Sequence, residues 1–198
     1  MKIRSAKFIT SSPDYPMCPE PKFKEFAFIG RSNVGKSSLL NMLTRKDGLA
    51  KVSQRPGHTT MINFFEINEE WTMVDLPGYG YARRTAQMQD NFNEFVSDYL
   101  CLRKGLVCVF LLIDSRIPPQ KSDLEFLEWL VENEVRFVLV FTKTDKIKAT
   151  PLKKNIAAFM SALEEFVDGE PPYFASSAKN GSGRVEVLNF IEQALEAN

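Results

Sequence analysis

The chain is predicted to fold as an α/β domain: a mostly parallel sheet with one antiparallel strand and helices on both faces. Three observations carry this reading. Strand-like apolar runs alternate with helical patterns along the 198 residues. Several of those runs are continuously apolar, as strands buried on both faces are. The string GRSNVGKS (30–37) joins the end of one such run to the start of a helical pattern. Ligands of such sheets bind beyond the C-terminal ends of the strands.

The elements follow in order. Residues 10–22, TSSPDYPMCPEPK, hold four prolines and read as extended chain. Residues 1–22 are therefore taken as a lead-in packed on a domain of residues 23–198. EFAFIG (25–30) is a short buried strand, and KSSLLNMLTR (36–45) a helix with Leu39, Leu40, Met42 and Leu43 on one side. KVSQRPGHTT (51–60) is a polar loop. MINFFEI (61–67) and WTMVD (71–75) are strands joined through Asn68-Glu69-Glu70. A glycine-containing loop runs from Gly78 to about Thr85. MQDNFNEFVSDYL (88–100) is an amphipathic helix, LVCVFLLID (106–114) a strand buried on both faces, and SDLEFLEWLVE (122–132) a helix. RFVLVFTK (136–143) is a second buried strand. LKKNIAAFMSALEEF (152–166) is a helix, YFAS (173–176) a short strand and RVEVLNFIEQAL (184–195) the last helix.

Composition excludes several classes. The longest unbroken apolar run is residues 106–113, whereas a membrane helix needs about 20 residues. The first residues lack the apolar block of a signal peptide, so the expected location is the cytoplasm with no membrane partner. Cys18, Cys101 and Cys108 suggest neither a disulfide framework nor a zinc site; Cys101 and Cys108 read as small buried hydrophobes. Net charge is zero but uneven. Residues 1–60 hold 11 Lys/Arg against 4 Asp/Glu, and residues 61–198 hold 14 against 21, giving +7 and −7. Such asymmetry fits a face that meets a polyanion, and equally a surface whose charges merely fall this way.

Four motifs carry chemistry, each after a strand. Gly30, Arg31, Ser32, Asn33, Val34, Gly35, Lys36 and Ser37 fit G-x-x-x-x-G-K-[ST] between strand and helix, the context of a phosphate-binding loop. Backbone N–H groups there close around phosphates at a helix N-terminus, with Ser38 next in line. Lys36 reaches the β- and γ-phosphates, and Ser37 ligates Mg²⁺. Asp75, Leu76, Pro77 and Gly78 end the WTMVD strand; Asp75 holds the magnesium through water and the Gly78 N–H bonds a γ-phosphate. Thr142, Lys143, Thr144 and Asp145 end the RFVLVF strand. The Asp145 carboxylate accepts from guanine N1–H and the N2 amine, and burial of that carboxylate would penalise adenine. Ser176, Ser177 and Ala178 end the last strand and offer backbone N–H groups to guanine O6. The fold is then a three-layer P-loop NTPase fold of small-GTPase type, binding GTP and GDP.

The order GRSNVGKS, PGHTT, DLPG, TKTD, SSAK resembles the translation-factor-like class of GTPases. RPGHT, NFF and DLPGYGYA with TK-x-D and SSAK are similar to the EngB (YihA/YsxC) family of bacterial ribosome-assembly GTPases, over roughly residues 5–195. The resemblance implies GTP hydrolysis with Mg²⁺, association with the large ribosomal subunit and its rRNA, and a need in cell division and septation. It maps the switch threonine onto Thr59, within Gly57, His58, Thr59 and Thr60. Thr59 would ligate magnesium only with the γ-phosphate present, and Thr60 is the alternative ligand. Lys36, Thr59 and Gly78 are the catalytic candidates. Thr142 stands where many GTPases have asparagine, and its hydroxyl still reaches toward the phosphate loop. A monomer is expected.

Other residues divide between function and ordinary structure. Asn33 is a potassium-ligand candidate or a turn asparagine. His58 reads as a loop residue ahead of a general base. Arg83 and Arg84 suit a solvated loop or rRNA phosphates ahead of a transition-state contact. Tyr79 follows Gly78, where many such enzymes keep a glutamine to orient water. A tyrosine there predicts slow intrinsic turnover, raised by a partner or a monovalent cation.

Overall fold

A computed structural model describes residues 1–50, 61–79 and 95–197. Seven strands form one sheet: β1 Ala6–Ser12, β2 Glu25–Gly30, β3 Ile62–Ile67, β4 Trp71–Asp75, β5 Leu106–Asp114, β6 Phe137–Thr142 and β7 Tyr173–Ala175. Their spatial order is β1-β3-β4-β2-β5-β6-β7. β3 runs antiparallel to both neighbours, and every other adjacent pair is parallel. The helices are α1 Lys36–Thr44, α2 over residues 95–102, α3 Lys121–Glu132, α4 Ala149–Leu163 and α5 Arg184–Glu196.

The central strands are apolar throughout because both their faces are covered. In β2, Phe26 and Phe28 join Leu39, Leu40 and Leu43 of α1 and Val187, Leu188 and Ile191 of α5. Ala27 and Ile29 point the other way, toward Val96 and Tyr99 of α2, Leu127 and Leu130 of α3 and Phe159 of α4. β5 splits likewise, with Phe110 and Leu112 on the first face and Val109, Leu111 and Ile113 on the second. Each large side chain buried this way contributes about 1.5–3 kcal/mol. The C-terminal ends of β2, β4, β5, β6 and β7 all emerge at one sheet edge.

Residues 6–12, expected to belong to the lead-in, instead form edge strand β1 on β3. Its sequence, AKFITSS, has no apolar face, because an edge strand leaves much of itself in solvent; Phe8 is exposed but meets Phe65 edge-to-face at 5.7 Å. The β3–β4 turn is left-handed at Asn68 (φ 56°) and Glu69 (φ 61°). Asn68 Oδ1 accepts from the Arg4 and Ser5 N–H groups at 2.7 and 3.1 Å, tying the N-terminus to the turn. α4 starts three residues before the expected Leu152. Pro151 lies in its first turn, where a missing N–H costs nothing. Residues 88–94 of the expected second helix lie outside the described residues.

A buried charge cluster closes the edge opposite the strand C-termini. Glu25, at the start of β2, accepts from Arg103 Nε at 2.8 Å, Arg103 Nη2 at 2.7 Å and the Tyr99 hydroxyl at 2.7 Å. Arg103 also donates to Pro19 O at 2.6 Å, binding the proline-rich lead-in to the domain. Removing Arg103 would strand a buried carboxylate. Arg103→Ala is expected to cost about 3–5 kcal/mol in chemical denaturation; a loss below about 1 kcal/mol would show that Glu25 finds another partner or water.

Candidate functional site

The phosphate loop leaves β2 at Gly30 and enters α1 at Lys36. Gly35 has φ 106°, a conformation that suits glycine and lets the chain turn into the helix with its N–H groups facing outward. Asn33 is also left-handed (φ 65°), and its exposed side chain has no partner among the described residues. Lys36 is buried, and its ammonium is paired with the buried Asp75 carboxylate at the end of β4. Asp75 also accepts from Asn63 Nδ2 at 3.4 Å. Ser37 is half-buried, with a hydroxyl that has no partner among the described residues.

The DLPG turn lies flat on this loop. The Leu76 N–H donates to Phe28 O at 3.0 Å. Gly78 packs so close that a Cβ there would come within 2.7 Å of Gly30 O and 3.3 Å of Ser32 N, which requires glycine. Tyr79 bridges to Arg31 through the backbone, but its side chain leaves the phosphate loop. Its ring stacks on Phe126 of α3 at 4.6 Å, and its hydroxyl donates to Asp123 Oδ1 at 2.9 Å. Burial, then the Asp123 charge, pushes the Tyr79 hydroxyl well above its ordinary pKa. Burial raises Asp123 to about 6.

β6 delivers the TKTD residues. Thr142 Oγ1 donates to Val34 O at 2.6 Å, so the hydroxyl does reach the phosphate loop. Lys143 is left-handed (φ 60°) and its ammonium donates to Asn33 O at 2.6 Å and Asp114 Oδ2 at 2.8 Å. Asp114 ends β5, also accepts from Arg116, and was not singled out from the sequence. Burial alone would raise Asp114, but hydrogen bonds from Arg116 and Lys143 prevail and hold it at about 2. An aspartate two residues before an arginine at a strand end was the available signal.

Asp145 does not match the expectation of a buried carboxylate. It is exposed, because its short turn Thr144–Lys146 lies beyond the end of β6. One oxygen accepts from the Ser177 hydroxyl at 2.7 Å, which lowers its pKa. Two of the three expected backbone donors after β7 are already used: the Ser176 N–H bonds Phe141 O at 2.8 Å and the Ser177 N–H bonds Ser182 O at 3.1 Å. Ala178 retains a free N–H among the described residues. Between these loops lies a cavity of about 370 Å³ lined by Gly35, Ser38, Leu39, Thr142, Lys143, Asp145, Lys146, Ser176, Ala178 and Lys179. It joins the start of α1 to both the TKTD and SSAK segments. Gly57, His58, Thr59, Thr60, Arg83 and Arg84 lie outside the described residues.

The donors around Lys36 suit magnesium: the free Ser37 hydroxyl and the Asp75 carboxylate are both hard oxygen ligands. Among the described residues no helix is long and apolar enough to cross a membrane.

Residues 25–143 match the family model described as 50S ribosome-binding GTPase. The probable GTP-binding protein EngB of Bacteroides thetaiotaomicron is 52% identical over 192 residues, 97% of this chain and 95% of that protein. The Porphyromonas gingivalis protein of that name is 47% identical, covering 97% of this chain and 96% of its own. Among solved structures, a probable GTP-binding protein engB superposes with TM-score 0.70 at 26% identity, over 88% of this chain and all of that one. Era, in complex with MgGDPNP and a segment of 16S ribosomal RNA, shares the fold with TM-score 0.68 at 22% identity, over 88% of this chain and 57% of that one.

Two predictions come from this geometry. Thr142→Val should leave the buried Val34 carbonyl without its donor and cost about 1–3 kcal/mol in denaturation of the nucleotide-free protein; an unchanged midpoint would show the bond to be dispensable. Asp123 titrates at about 6 when folded, against 3.8 for an unperturbed aspartate. A raised carboxylate pKa means burial of the charge destabilises above that range, and the folded state takes up a proton first as pH falls. The protein should therefore gain stability relative to Asp123→Asn between about pH 7 and pH 5; a pH-independent difference overturns the assignment.

Proposed function

This chain belongs to the EngB family of GTP-binding proteins, and from that premise we propose that it is a slow GTPase acting as a nucleotide switch in large ribosomal subunit assembly. The proposed setting is the cytoplasm, and the proposed consequence of its loss is impaired cell division and septation. One observation carries the nucleotide reading: the end of the phosphate loop and the TKTD and SSAK segments line one cavity at the sheet edge where the DLPG turn packs on the phosphate loop. The ribosomal reading is supported by the description of the matching family model and by the positive balance of residues 1–60.

The reaction is in-line attack of water on the γ-phosphate of GTP, giving GDP and phosphate. Lys36 exchanges Asp75 for the β- and γ-phosphates and neutralises charge that develops there. The Gly78 N–H holds the γ-phosphate. Asp145 accepts from the guanine N1–H and N2 amine, and the Ala178 N–H donates to O6. Because Asp145 is exposed, its selectivity arises as the base covers it: adenine would bury that carboxylate without donors. Ser37 and Asp75, the latter through water, would hold Mg²⁺, with Thr59 or Thr60 completing the set. The metal, when bound, would supply charge neutralisation to the phosphates.

Slow turnover is proposed because the Tyr79 side chain is committed to α3 and offers nothing to an attacking water. That same observation favours a second reading, a nucleotide-controlled ribosome- or RNA-binding module whose hydrolysis is incidental. Fluorescent GTP, GDP and ATP analogues should show tight guanine and weak adenine binding; ATP binding as tight as GTP overturns the role of Asp145. Single-turnover hydrolysis by the protein alone should run below about 1 s⁻¹, and rise with large ribosomal subunits. A rise in potassium over sodium, abolished by Asn33→Ala, would assign the cation to Asn33. Turnover unmoved by the subunit, with binding retained, would select the module.

A further inference from the structure

Asp123 is a buried carboxylate that the proposed chemistry leaves unused. It lies in the first turn of α3, 2% exposed, and among the described residues its side chain makes one hydrogen bond, from the Tyr79 hydroxyl. An apolar residue would fill that place without the cost of burying a charge. Tyr79 is equally committed, 8% exposed, stacked on Phe126 and bridged to Arg31 of the phosphate loop. The Arg31 charge lies near enough to act on both groups.

These contacts join the phosphate loop, the DLPG turn and α3. The turn is fixed at one end by the Leu76 N–H on Phe28 O and at the other by Tyr79 on Asp123. Gly78 sits between the two anchors, pressed onto Gly30 and Ser32. We infer that Tyr79 and Asp123 are positioning residues for the γ-phosphate contact: their buried bond pins the end of the DLPG turn on α3 and presets the Gly78 N–H beside the phosphate loop. The inference rests on reading the site as a GTP site. Its consequence is differential. A donor fixed in advance saves the ligand the cost of ordering it, but GDP lacks the phosphate that would use it. Loosening the pin therefore weakens GTP binding and spares GDP.

The test uses Tyr79→Phe, Asp123→Asn and the double variant, titrated with fluorescent GDP and a fluorescent β,γ-imido GTP analogue. Each single variant should bind the GTP analogue about 3- to 10-fold more weakly, the range one hydrogen bond supplies, and GDP within about twofold of the unsubstituted protein. The double variant should match the singles, because both sever the same bond. Tyr79→Phe deletes one oxygen and keeps the stacked ring, so it carries the test if Asp123→Asn unfolds. An unchanged preference for GTP over GDP, equal weakening of both nucleotides, or additive losses would overturn the inference while leaving the site intact. An unsubstituted protein that binds neither guanine nucleotide would overturn the GTP site, and this inference with it.

Discussion

A buried ammonium needs a counter-charge, and much of this molecule's architecture serves that need at Lys36. The lysine is at the first turn of α1, so it projects where β2 ends and the helix begins. Asp75 reaches it only because β4 pairs with β2 in parallel, Phe28 opposite Asp75, so that both strands finish at the same edge. Either partner alone would be an uncompensated buried charge, costing several kcal/mol. The pair satisfies the protein by itself. A phosphate chain is the ligand class that can take over the carboxylate's place without stranding the ammonium, provided Asp75 gains another cation. On the proposed reading, the ion pair would make nucleotide and metal binding two halves of one exchange.

The second constraint is that the TKTD segment and the phosphate loop keep a fixed separation. Two bonds set it. Thr142 joins β6 to the phosphate loop at Val34, and Lys143 joins it at Asn33 while being held by Asp114. Three adjacent strand ends, β2, β5 and β6, are therefore locked through side chains as well as through their ladders. Asp114 keeps its charge far below neutral pH because two cations share it. Asp114, which is not part of the cavity lining, thereby fixes Lys143, which is.

Most of the fold was legible because the inner strands are buried on both faces, which turns them into unbroken apolar runs such as residues 106–113. β1 was not legible, since an edge strand with solvent on one side has the composition of a loop. α4 starts at Ala149, ahead of the expected 152, because the first helical turn tolerates Pro151. The phosphate loop and DLPG stand out as motifs because backbone geometry calls for their glycines. Pairings between distant side chains leave no such local mark. Nothing near Tyr79 in the sequence points to Asp123, 44 positions later, and Asp114 needs the β5–β6 register before its link to Lys143 becomes visible.

Tyr79 shows how the same residue changes meaning between sequence and structure. Read from its position, it is a substitute that fails to orient water. Its geometry gives it a positive role, because a glutamine there, free to face the phosphate, would leave Asp123 without the Tyr79 donor and Phe126, among the described residues, with only Trp129 to stack on. One side chain cannot serve both α3 and the attacking water. The chain uses this position to hold the turn on α3. Under the proposed function, anchoring Tyr79 would keep Gly78 against Gly30 and Ser32. In this molecule the anchor is a buried hydroxyl–carboxylate bond on a helix packed against the central sheet.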